Sequence, residues 1–315
     1  MLAIPNSLGI LTTPGSSKGS KAPVWNTIRV CWLLMIFLII AACSGRTVAE
    51  TNSTAPIKQE TRAEFAKRAQ TIYESARKRY LASPNDAEAA WQFGRASYDW
   101  AEFASTKRQR AEIAEEGIDA AQKLVDRQPG LAEAHYYLAM NQGQLAQTKE
   151  LGALKLVSKM EKEFKATLEL KPDLDYAGPD RNLGLLYKEA PGWPASIGNK
   201  SKAKQHLTAA AKRAPQYPEN LLNLIEAYLS WGDRNAAVRE MENLEAIWPK
   251  AEQQLTGEQW TQSWIDWKIR REVVGKKAAD MKRGSSSRQK PKSPVSNPSS
   301  VQLSFLTQAP QLSMR

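Results

Sequence analysis

The 32 residues from Pro218 to Pro249, PENLLNLIEAYLSWGDRNAAVREMENLEAIWP, decide the fold. Each half of this stretch places its apolar residues at intervals of one, three or four: Leu221, Leu224, Ile225 and Tyr228, then Ala237, Met241, Leu244 and Trp248. Such spacing puts them on one face of a helix. Gly232 can end the first helix because it tolerates positive φ. We expect Pro249 to end the second, since proline has no backbone N–H to donate. The stretch therefore predicts two helices, each of which must cover its apolar face against a neighbour.

Three earlier segments follow the same pattern. Counted back from Pro249, prolines follow similar helices at Pro215, Pro172 and Pro129, at intervals of 34, 43 and 43 residues. The first helices of the four units share a register: Phe93-Gly94, Leu138-Ala139, Leu183-Gly184 and Leu224-Ile225. A basic period of 34 with small residues at the helix crossing resembles the tetratricopeptide repeat (TPR). That resemblance implies an all-α, TPR-type solenoid of about four helix pairs with flanking helices at both ends.

The first three units are longer than the last, by inserts of 11, 9 and 7 residues. The first two inserts have a composition compatible with helix and are expected to lengthen their helices. The third insert, residues 189–199, contains Pro191-Gly192-Trp193-Pro194 and cannot continue as a helix. It predicts a structured loop, in which Trp193 either covers a ligand or packs on the solenoid.

Net charge is unevenly distributed along the chain. The formal charge is +11, of which residues 1–43 contribute +3 and residues 276–315 contribute +7. The remaining residues, 44–275, hold 33 basic and 32 acidic side chains. Net charge therefore gives no support for nucleic-acid binding by the repeats. The two cysteines, Cys31 and Cys43, precede the repeats, which excludes a disulfide or a thiolate metal site within them.

The N-terminal segment has the pattern of an export signal. Residues 30–42, VCWLLMIFLIIAA, are apolar and follow Lys18, Lys21 and Arg29. This run is shorter than the roughly 20 residues that a membrane-spanning helix needs, and it favours the apolar region of a signal peptide. Residues 40–43, Ile-Ala-Ala-Cys, resemble the bacterial lipobox. That resemblance implies cleavage before Cys43, lipidation of Cys43 and, because Ser44 follows, sorting to the outer membrane facing the periplasm. The alternative is an uncleaved signal anchor.

Four regions are therefore predicted: a lipoprotein signal peptide over residues 1–42, a tether over 43–57, a helical array over 58–275 and a disordered basic tail over 276–315. Within the array, a final helix ending at Gly275 carries four apolar residues on one face: Trp260, Trp264, Trp267 and Val274. This face predicts a cap over the last repeat. A tryptophan-rich docking surface is the alternative interpretation.

No catalytic constellation is found in the sequence. The two histidines, His135 and His206, lie in different units and have no partners at metal-ligand spacing. Asp173 and Asp175 follow Pro172, where aspartate suits a turn. We therefore expect no enzymatic activity, no cofactor and no metal.

A surface lined by the first helices of the pairs is the expected binding site. The candidate residues are Trp91, Arg95, Tyr98, Tyr136, Tyr137, Arg181, Asn182, Asn223 and Glu226, together with Trp193 of the loop. Asn182 and Asn223 each precede the leucine of their unit, and a side-chain amide can bind the backbone of an extended peptide. The alternative is that these groups are solvated or serve contacts within the array.

Residues 85–231, including the Pro191–Pro194 loop, resemble two related TPR groups: the lipoprotein T component associated with bacterial TRAP-type transporters, and the regulator of microtubule dynamics family. The lipobox favours the first group. This resemblance implies a periplasmic lipoprotein that binds a substrate-binding protein or holds a small hydrophobic ligand. The sequence thus predicts a membrane-anchored, non-catalytic scaffold that binds a protein or peptide partner in the cell envelope. A ligand carrier or transporter accessory is one alternative, and an envelope tether acting through the basic tail is another.

Overall fold

The computed structural model describes residues 62–149 and 152–286, with side chains up to residue 280. These residues form ten α-helices: α1 Arg62–Ala82, α2 Ala87–Ala101, α3 Lys107–Arg127, α4 Ala132–Ala146, α5 Ala153–Leu170, α6 Leu174–Glu189, α7 Lys200–Arg213, α8 Pro218–Ser230, α9 Arg234–Gln254 and α10 Thr261–Ser286. A 3-10 turn, Glu258–Trp260, precedes α10. The predicted all-α architecture of TPR-like pairs is confirmed. The predicted signal peptide, the tether and Cys43 lie outside the described residues.

The helices pair as α2 with α3, α4 with α5, α6 with α7 and α8 with α9, while α1 packs on α2. Small residues allow the close approach that the repeat pattern predicts. A Cβ atom on Gly117 of α3 would lie 2.5 Å from Asn141 Oδ1 and 2.7 Å from Ser97 Cβ. Gly117 therefore lets α3 pack against α2 and α4 at once.

Polar side chains fix the beginnings of several helices. Asp86, Thr106, Asn199 and Asp233 each precede a helix and accept a hydrogen bond from a backbone N–H two or three residues later, at 2.9–3.2 Å. Such caps satisfy donors that the helix itself leaves unpaired. These four residues therefore fix where α2, α3, α7 and α9 begin.

The C-terminal helix α10 lies against α8 and α9. Trp260, Trp267 and Val274 are buried in one cluster with Tyr217 and Leu222. Trp264 packs edge-on against Trp248, with ring centroids 5.3 Å apart. This is the packing expected of a cap: Trp260 and Trp267 are buried, and Trp264 is partly buried.

Two predicted helix ends are wrong. Helix α9 does not stop at Pro249 but continues to Gln254. Proline inside a helix costs about 3 kcal/mol, and this cost is offset because Ala251 and Leu255 are buried in the cluster that contains Trp260. Helix α10 likewise passes through Gly275 to Ser286. Burial of Ala278 holds the turn after Gly275. The first residues of the predicted tail, 276–286, are therefore helical.

The two ends of the array meet. Arg68 of α1 places Nη2 2.6 Å from Oε1 of Glu258 in the 3-10 turn, across 190 residues of sequence. The first helix and the turn that introduces the cap are therefore neighbours in space.

Candidate functional site

The first helices of the four pairs, α2, α4, α6 and α8, are joined by side-chain hydrogen bonds. Asn141 Nδ2 of α4 donates to Gly94 O of α2 at 2.7 Å. Tyr136 OH of α4 donates to Asp175 Oδ2 of α6 at 2.5 Å. The guanidinium of Arg181 continues the series from α6 to α8, where Nη1 donates to Asn220 Oδ1 at 3.2 Å. The surface lined by these four helices is termed the inner face.

Helix α6 begins with a left-handed turn. Asp175, Tyr176 and Ala177 have φ values of 53°, 53° and 65°. This region costs about 1–2 kcal/mol for each residue with a Cβ. Arg181 Nη1 donates to Asp175 O at 3.0 Å and to Tyr176 O at 3.3 Å, and Asn220 Nδ2 of α8 donates to Tyr176 O at 2.9 Å. Side chains of two helices therefore hold the strained backbone.

A buried ion pair lies beside this turn. Arg181 Nη2 is 2.5 Å from Asp175 Oδ2, and each side chain is 3% exposed. Asn182 Nδ2 donates to Tyr136 OH at 3.0 Å, so α4 contributes to the same network. Burial raises the pKa of Asp175, and the charge of Arg181 opposes that rise. Among the described residues, Asp175 Oδ1 has no hydrogen-bond partner.

The left-handed turn contacts α4, the residue that precedes α8 and the 3-10 turn that precedes α10. A Cβ atom on Gly178 would overlap Tyr136 OH and would lie 2.9 Å from Asp175 Cβ, so this position requires glycine. Tyr176 stacks on Tyr217 with ring centroids 4.5 Å apart. The phenol of Tyr217 is buried and, like Asp175 Oδ1, has no partner within the described part of the chain. Tyr136 of α4 and Tyr217, which precedes α8, thus fix the turn from two sides.

The N-terminal part of the inner face remains partly open. Trp91 stacks on Tyr137 with ring centroids 5.9 Å apart. Arg95 Nε lies 3.7 Å from Asp99 Oδ2, and the two side chains are 15% and 19% exposed. Burial raises the pKa of Asp99 to about 6, against the charge of Arg95 and with a further rise from Glu102 and Asp175. This part offers an aromatic surface and a partly exposed ion pair.

The C-terminal part of the inner face is covered by α10. Arg270 donates to Glu219 at 2.8 Å, to Asn223 at 2.6 Å and to Glu226 at 2.8 Å. It also contacts Asp266 of its own helix at 3.2 Å. The guanidinium of Arg270 therefore binds the polar side chains of α8 on the inner face.

The structure brings together most of the predicted site. On the inner face lie Trp91, Arg95, Tyr98, Tyr136, Tyr137, Arg181 and Asn182, followed by Asn223 and Glu226 beneath α10. That these residues bind a partner stays a prediction.

Trp193 does not join them. It is 89% exposed, so the alternative in which it packs on the solenoid is wrong. The neighbouring Ile197 packs against the buried cluster that contains Leu183 and Tyr187. The loop thus uses its isoleucine as an anchor and leaves the tryptophan outside.

Three residues of the inner face were missed in the sequence. Asp175 was interpreted as an ordinary turn residue, because no local pattern reveals a left-handed turn held by distant side chains. Asp99 follows Tyr98 without any motif. Arg270 carried a weak signal: it lies three residues after Trp267, on the face that the cap buries.

Most polar and aromatic groups of the inner face are buried within the array, and Trp91, Arg95 and Asp99 are partly exposed. The inner face combines hydrogen-bond donors, carboxylates and aromatic rings from four consecutive first helices. Within residues 62–149 and 152–286, no group of three or more His, Cys, Asp or Glu side chains is arranged to hold a metal ion. Over the same residues, no helix combines the length and apolarity needed to cross a bilayer.

Comparison with known proteins finds a similarity to one family over part of the chain. The family model described as regulator of microtubule dynamics protein 1-3 matches residues 57–177. No curated protein matches the chain. Among solved structures, a thermophilic TPR protein in Thermus thermophilus, TTC0263, is 17% identical, with 79% of this chain and 97% of that chain covered and a TM-score of 0.48. MamA is also 17% identical, with coverage of 62% and 98% and a TM-score of 0.43. Residues 57–177 are thus similar to the regulator of microtubule dynamics protein 1-3 family, and the helices of the chain pack in TPR-like pairs.

Proposed function

We propose that this protein is a non-catalytic scaffold that binds a protein or peptide partner on its inner face. The observation that carries the proposal is the continuity of the site. Four successive first helices contribute to one set of side-chain contacts, from Trp91 in α2 to Arg270 against α8. Helical repeat proteins use such stacked surfaces for binding.

The open part of the inner face is the proposed contact region. Trp91, Arg95 and Asp99 are only partly buried, whereas α10 covers the end near Asn223. Tryptophan and arginine are among the side chains that most often dominate binding energy at protein interfaces. The partner is therefore expected to contact the first two helix pairs.

Affinity capture with the full chain tests this proposal. The double variant Trp91→Ala with Arg95→Ala should bind the partner with a dissociation constant at least about tenfold higher, which corresponds to about 1.4 kcal/mol. Arg108→Ala is the matched control, because Arg108 is exposed on the second helix of the same pair. Equal recovery of the same partner by both variants would count against the inner face.

A small-ligand carrier or transporter accessory is the second candidate. It is supported by Asp175 Oδ1 and Tyr217 OH, two buried polar atoms without partners among the described residues. Buried polar atoms are normally hydrogen-bonded, and a bound molecule would supply the missing partners. Native mass spectrometry of the full chain should then show a bound small molecule that Tyr217→Phe weakens. A mass equal to that of the polypeptide alone argues against this function.

The lipobox resemblance supports a lipid anchor on Cys43 and a location at the outer membrane facing the periplasm. Multiple acyl chains would make that anchor stable. Intact-mass analysis of the membrane fraction tests it: the mature chain should begin at Cys43 and carry lipid. Recovery of Cys43 as a free thiol in that fraction would refute the anchor.

The third candidate is an envelope tether acting through the basic C-terminal region. The test is deletion of residues 287–315, since residues 276–286 belong to α10. Loss of envelope association by the deleted form is the expected result for a tether. Unchanged association removes this candidate.

A further inference from the structure

A buried histidine and a buried glutamate join the first turn of α4 to α5. His135 Nδ1 lies 2.6 Å from Glu163 Oε2, and the two side chains are 9% and 7% exposed. Burial of a carboxylate is unfavourable unless the group is paired and hydrogen-bonded. The imidazole of His135 is the partner that α4 supplies to Glu163.

The other nitrogen of the same ring faces a backbone carbonyl. His135 Nε2 lies 2.9 Å from Pro129 O, in the segment between α3 and α4. A carbonyl oxygen can only accept a hydrogen bond, so Nε2 must carry a proton. In a neutral imidazole the second nitrogen, Nδ1, is then without a proton and is itself an acceptor.

Nδ1 also faces an acceptor. An ionised carboxylate has no proton to donate, and a separation of 2.6 Å is short, as it is in charge-assisted hydrogen bonds. Two acceptors this close would repel each other, so a proton lies between Nδ1 and Oε2. Histidine is the more basic of the two side-chain types, which assigns this proton to the ring. His135 is therefore an imidazolium held between two acceptors.

Few other charges act on this pair. Lys162 Nζ of α5 lies 3.6 Å from Glu163 Oε1, but its side chain is exposed. Glu133, on the same turn of α4 as His135, pairs with Lys171 at 2.9 Å. Among the described residues of α2, α3 and α6, which also pack around α4, no charged side chain forms an ion pair with His135 or Glu163. The imidazolium is thus the main charge that balances the carboxylate.

The second histidine of the chain is placed differently. His206 Nδ1 lies 2.8 Å from Asp180 Oδ1, and Arg213 Nε lies 3.4 Å from the other oxygen of that carboxylate. A neutral ring with its proton on Nδ1 satisfies this contact, because no acceptor within the described part of the chain faces Nε2. His206 therefore needs no second proton and serves as an internal reference.

We propose that His135 and Glu163 form a proton-dependent latch between α4 and α5. With both protons on the ring, His135 donates to Glu163 and to Pro129 O and so holds three segments together. When the proton on Nδ1 leaves, Nδ1 and Oε2 become two facing acceptors and the contact opens. The stability that the latch contributes is therefore present at acidic pH and is lost as the pH rises and the proton dissociates.

The latch acts on the part of α4 that lines the inner face. Tyr136 and Tyr137 follow His135 directly. Tyr136 OH donates to Asp175 of α6, and Tyr137 stacks on Trp91 of α2. Loss of the proton therefore loosens the helix turn from which both tyrosines project. The latch itself does not depend on whether the inner face binds a partner.

Nitrogen-15 NMR of the full chain with labelled histidine tests the proposal. The chain has two histidines, so the ring nitrogens of each can be followed separately, and His206→Gln assigns them. At about pH 7, near which histidine commonly changes charge, both nitrogens of His135 should carry a proton. His206 should show one protonated and one unprotonated nitrogen. A neutral His135 ring at this pH would overturn the proposal.

Glu163→Gln separates the latch from ordinary packing. The glutamine amide can donate to an unprotonated Nδ1, so a neutral His135 ring with its proton on Nε2 satisfies both of its partners. In this variant His135 should therefore show one protonated nitrogen at about pH 7. Glu169→Gln is the matched control, because Glu169 is an exposed carboxylate on the same helix, and it should leave both nitrogens protonated. An imidazolium that persists in Glu163→Gln would show that Glu163 does not hold the proton.

Thermal unfolding at two pH values measures the effect of the latch. From about pH 6 to about pH 9, the thermal midpoint of wild type should fall by about 2–4 °C more than that of Glu163→Gln. Other titrating groups, such as Asp99, are the same in both proteins and cancel. Equal changes in the two midpoints would overturn the proposal. Far-UV circular dichroism establishes that each variant is folded, and the NMR measurement on wild type requires no variant of the latch.

Discussion

Arg181 Nη2 lies 2.5 Å from Asp175 Oδ2, and each of these side chains is 3% exposed. The same guanidinium holds two carbonyls of the left-handed turn. Arg181→Met should therefore lower the free energy of unfolding by about 3–5 kcal/mol, because it leaves a buried carboxylate unpaired. Urea unfolding measures this. The control is Arg77→Met, which breaks a surface pair with Glu116 and should cost less than about 1 kcal/mol. Similar losses for both variants would contradict the structure.

Gly178 and Tyr136 should show energetic coupling. Gly178→Ala places a methyl group against Tyr136 OH and should cost about 1–3 kcal/mol through overpacking. Tyr136→Phe removes the hydroxyl and the hydrogen bond to Asp175. In the double variant the methyl group meets less steric conflict, so the combined loss should be smaller than the sum of the single losses. A double-mutant cycle by urea unfolding measures the difference. Strict additivity would show that Tyr136 does not lie over Gly178.

Stability should rise as pH falls from 7 towards 5. Burial raises the pKa of Asp99 from 3.8 to about 6. Desolvation raises the pKa of Asp266, which is partly buried, to about 6 against the charge of Arg270. Between pH 7 and pH 5 the folded state binds more protons than the unfolded state. The ionised carboxylates therefore destabilise the fold above about pH 6, and this destabilisation is lost as the pH falls.

The variant Asp99→Asn isolates one of these groups. Its free energy of unfolding should depend less on pH between about 4.5 and 7 than that of wild type, by up to about 1.4 kcal/mol for each pH unit. The groups that act on Asp99 are Arg95 and Glu102 from the region of α2 and Asp175 on α6. Parallel pH profiles for variant and wild type would show that Asp99 titrates as an exposed carboxyl.

Gly275→Ala distinguishes a helix interior from a helix end. In the structure α10 continues through this residue, and an added Cβ would lie 3.4 Å from Met241 Cε. Alanine should then stabilise the protein by about 0.5–1 kcal/mol, since glycine weakens a helix interior. At a helix end with positive φ, the same substitution would destabilise the protein instead. The sign of the change in thermal midpoint decides between the two.

Sequence periodicity predicted the elements that are determined by residues close together in the chain. The fourth pair, predicted between Pro218 and Pro249 with a break at Gly232, begins at Pro218 and Arg234 in the structure. Its apolar spacing, its glycine and its capping aspartate all act within a few residues. The loop predicted over residues 189–199 was likewise evident from its prolines and glycines.

Features that depend on distant contacts were not predictable in this way. Pro249 normally ends a helix, but burial of Leu255 near Trp260 carries α9 past it. The left-handed turn at Asp175 requires Arg181 and Asn220, and Asn220 is on another helix 44 residues from Tyr176. Spacing identified which residues line the inner face, but it did not show that Arg270 of the cap occupies its C-terminal part.

The contact between Arg68 and Glu258 has a consequence for growth of the array. An open solenoid can gain or lose repeats at its ends, because each unit contacts only its neighbours. Here the first helix and the approach to the cap touch through one exposed ion pair, so insertion of one more helix pair would separate Arg68 from Glu258. The array can therefore open between α1 and the 3-10 turn at little cost, because one exposed ion pair contributes at most about 1 kcal/mol.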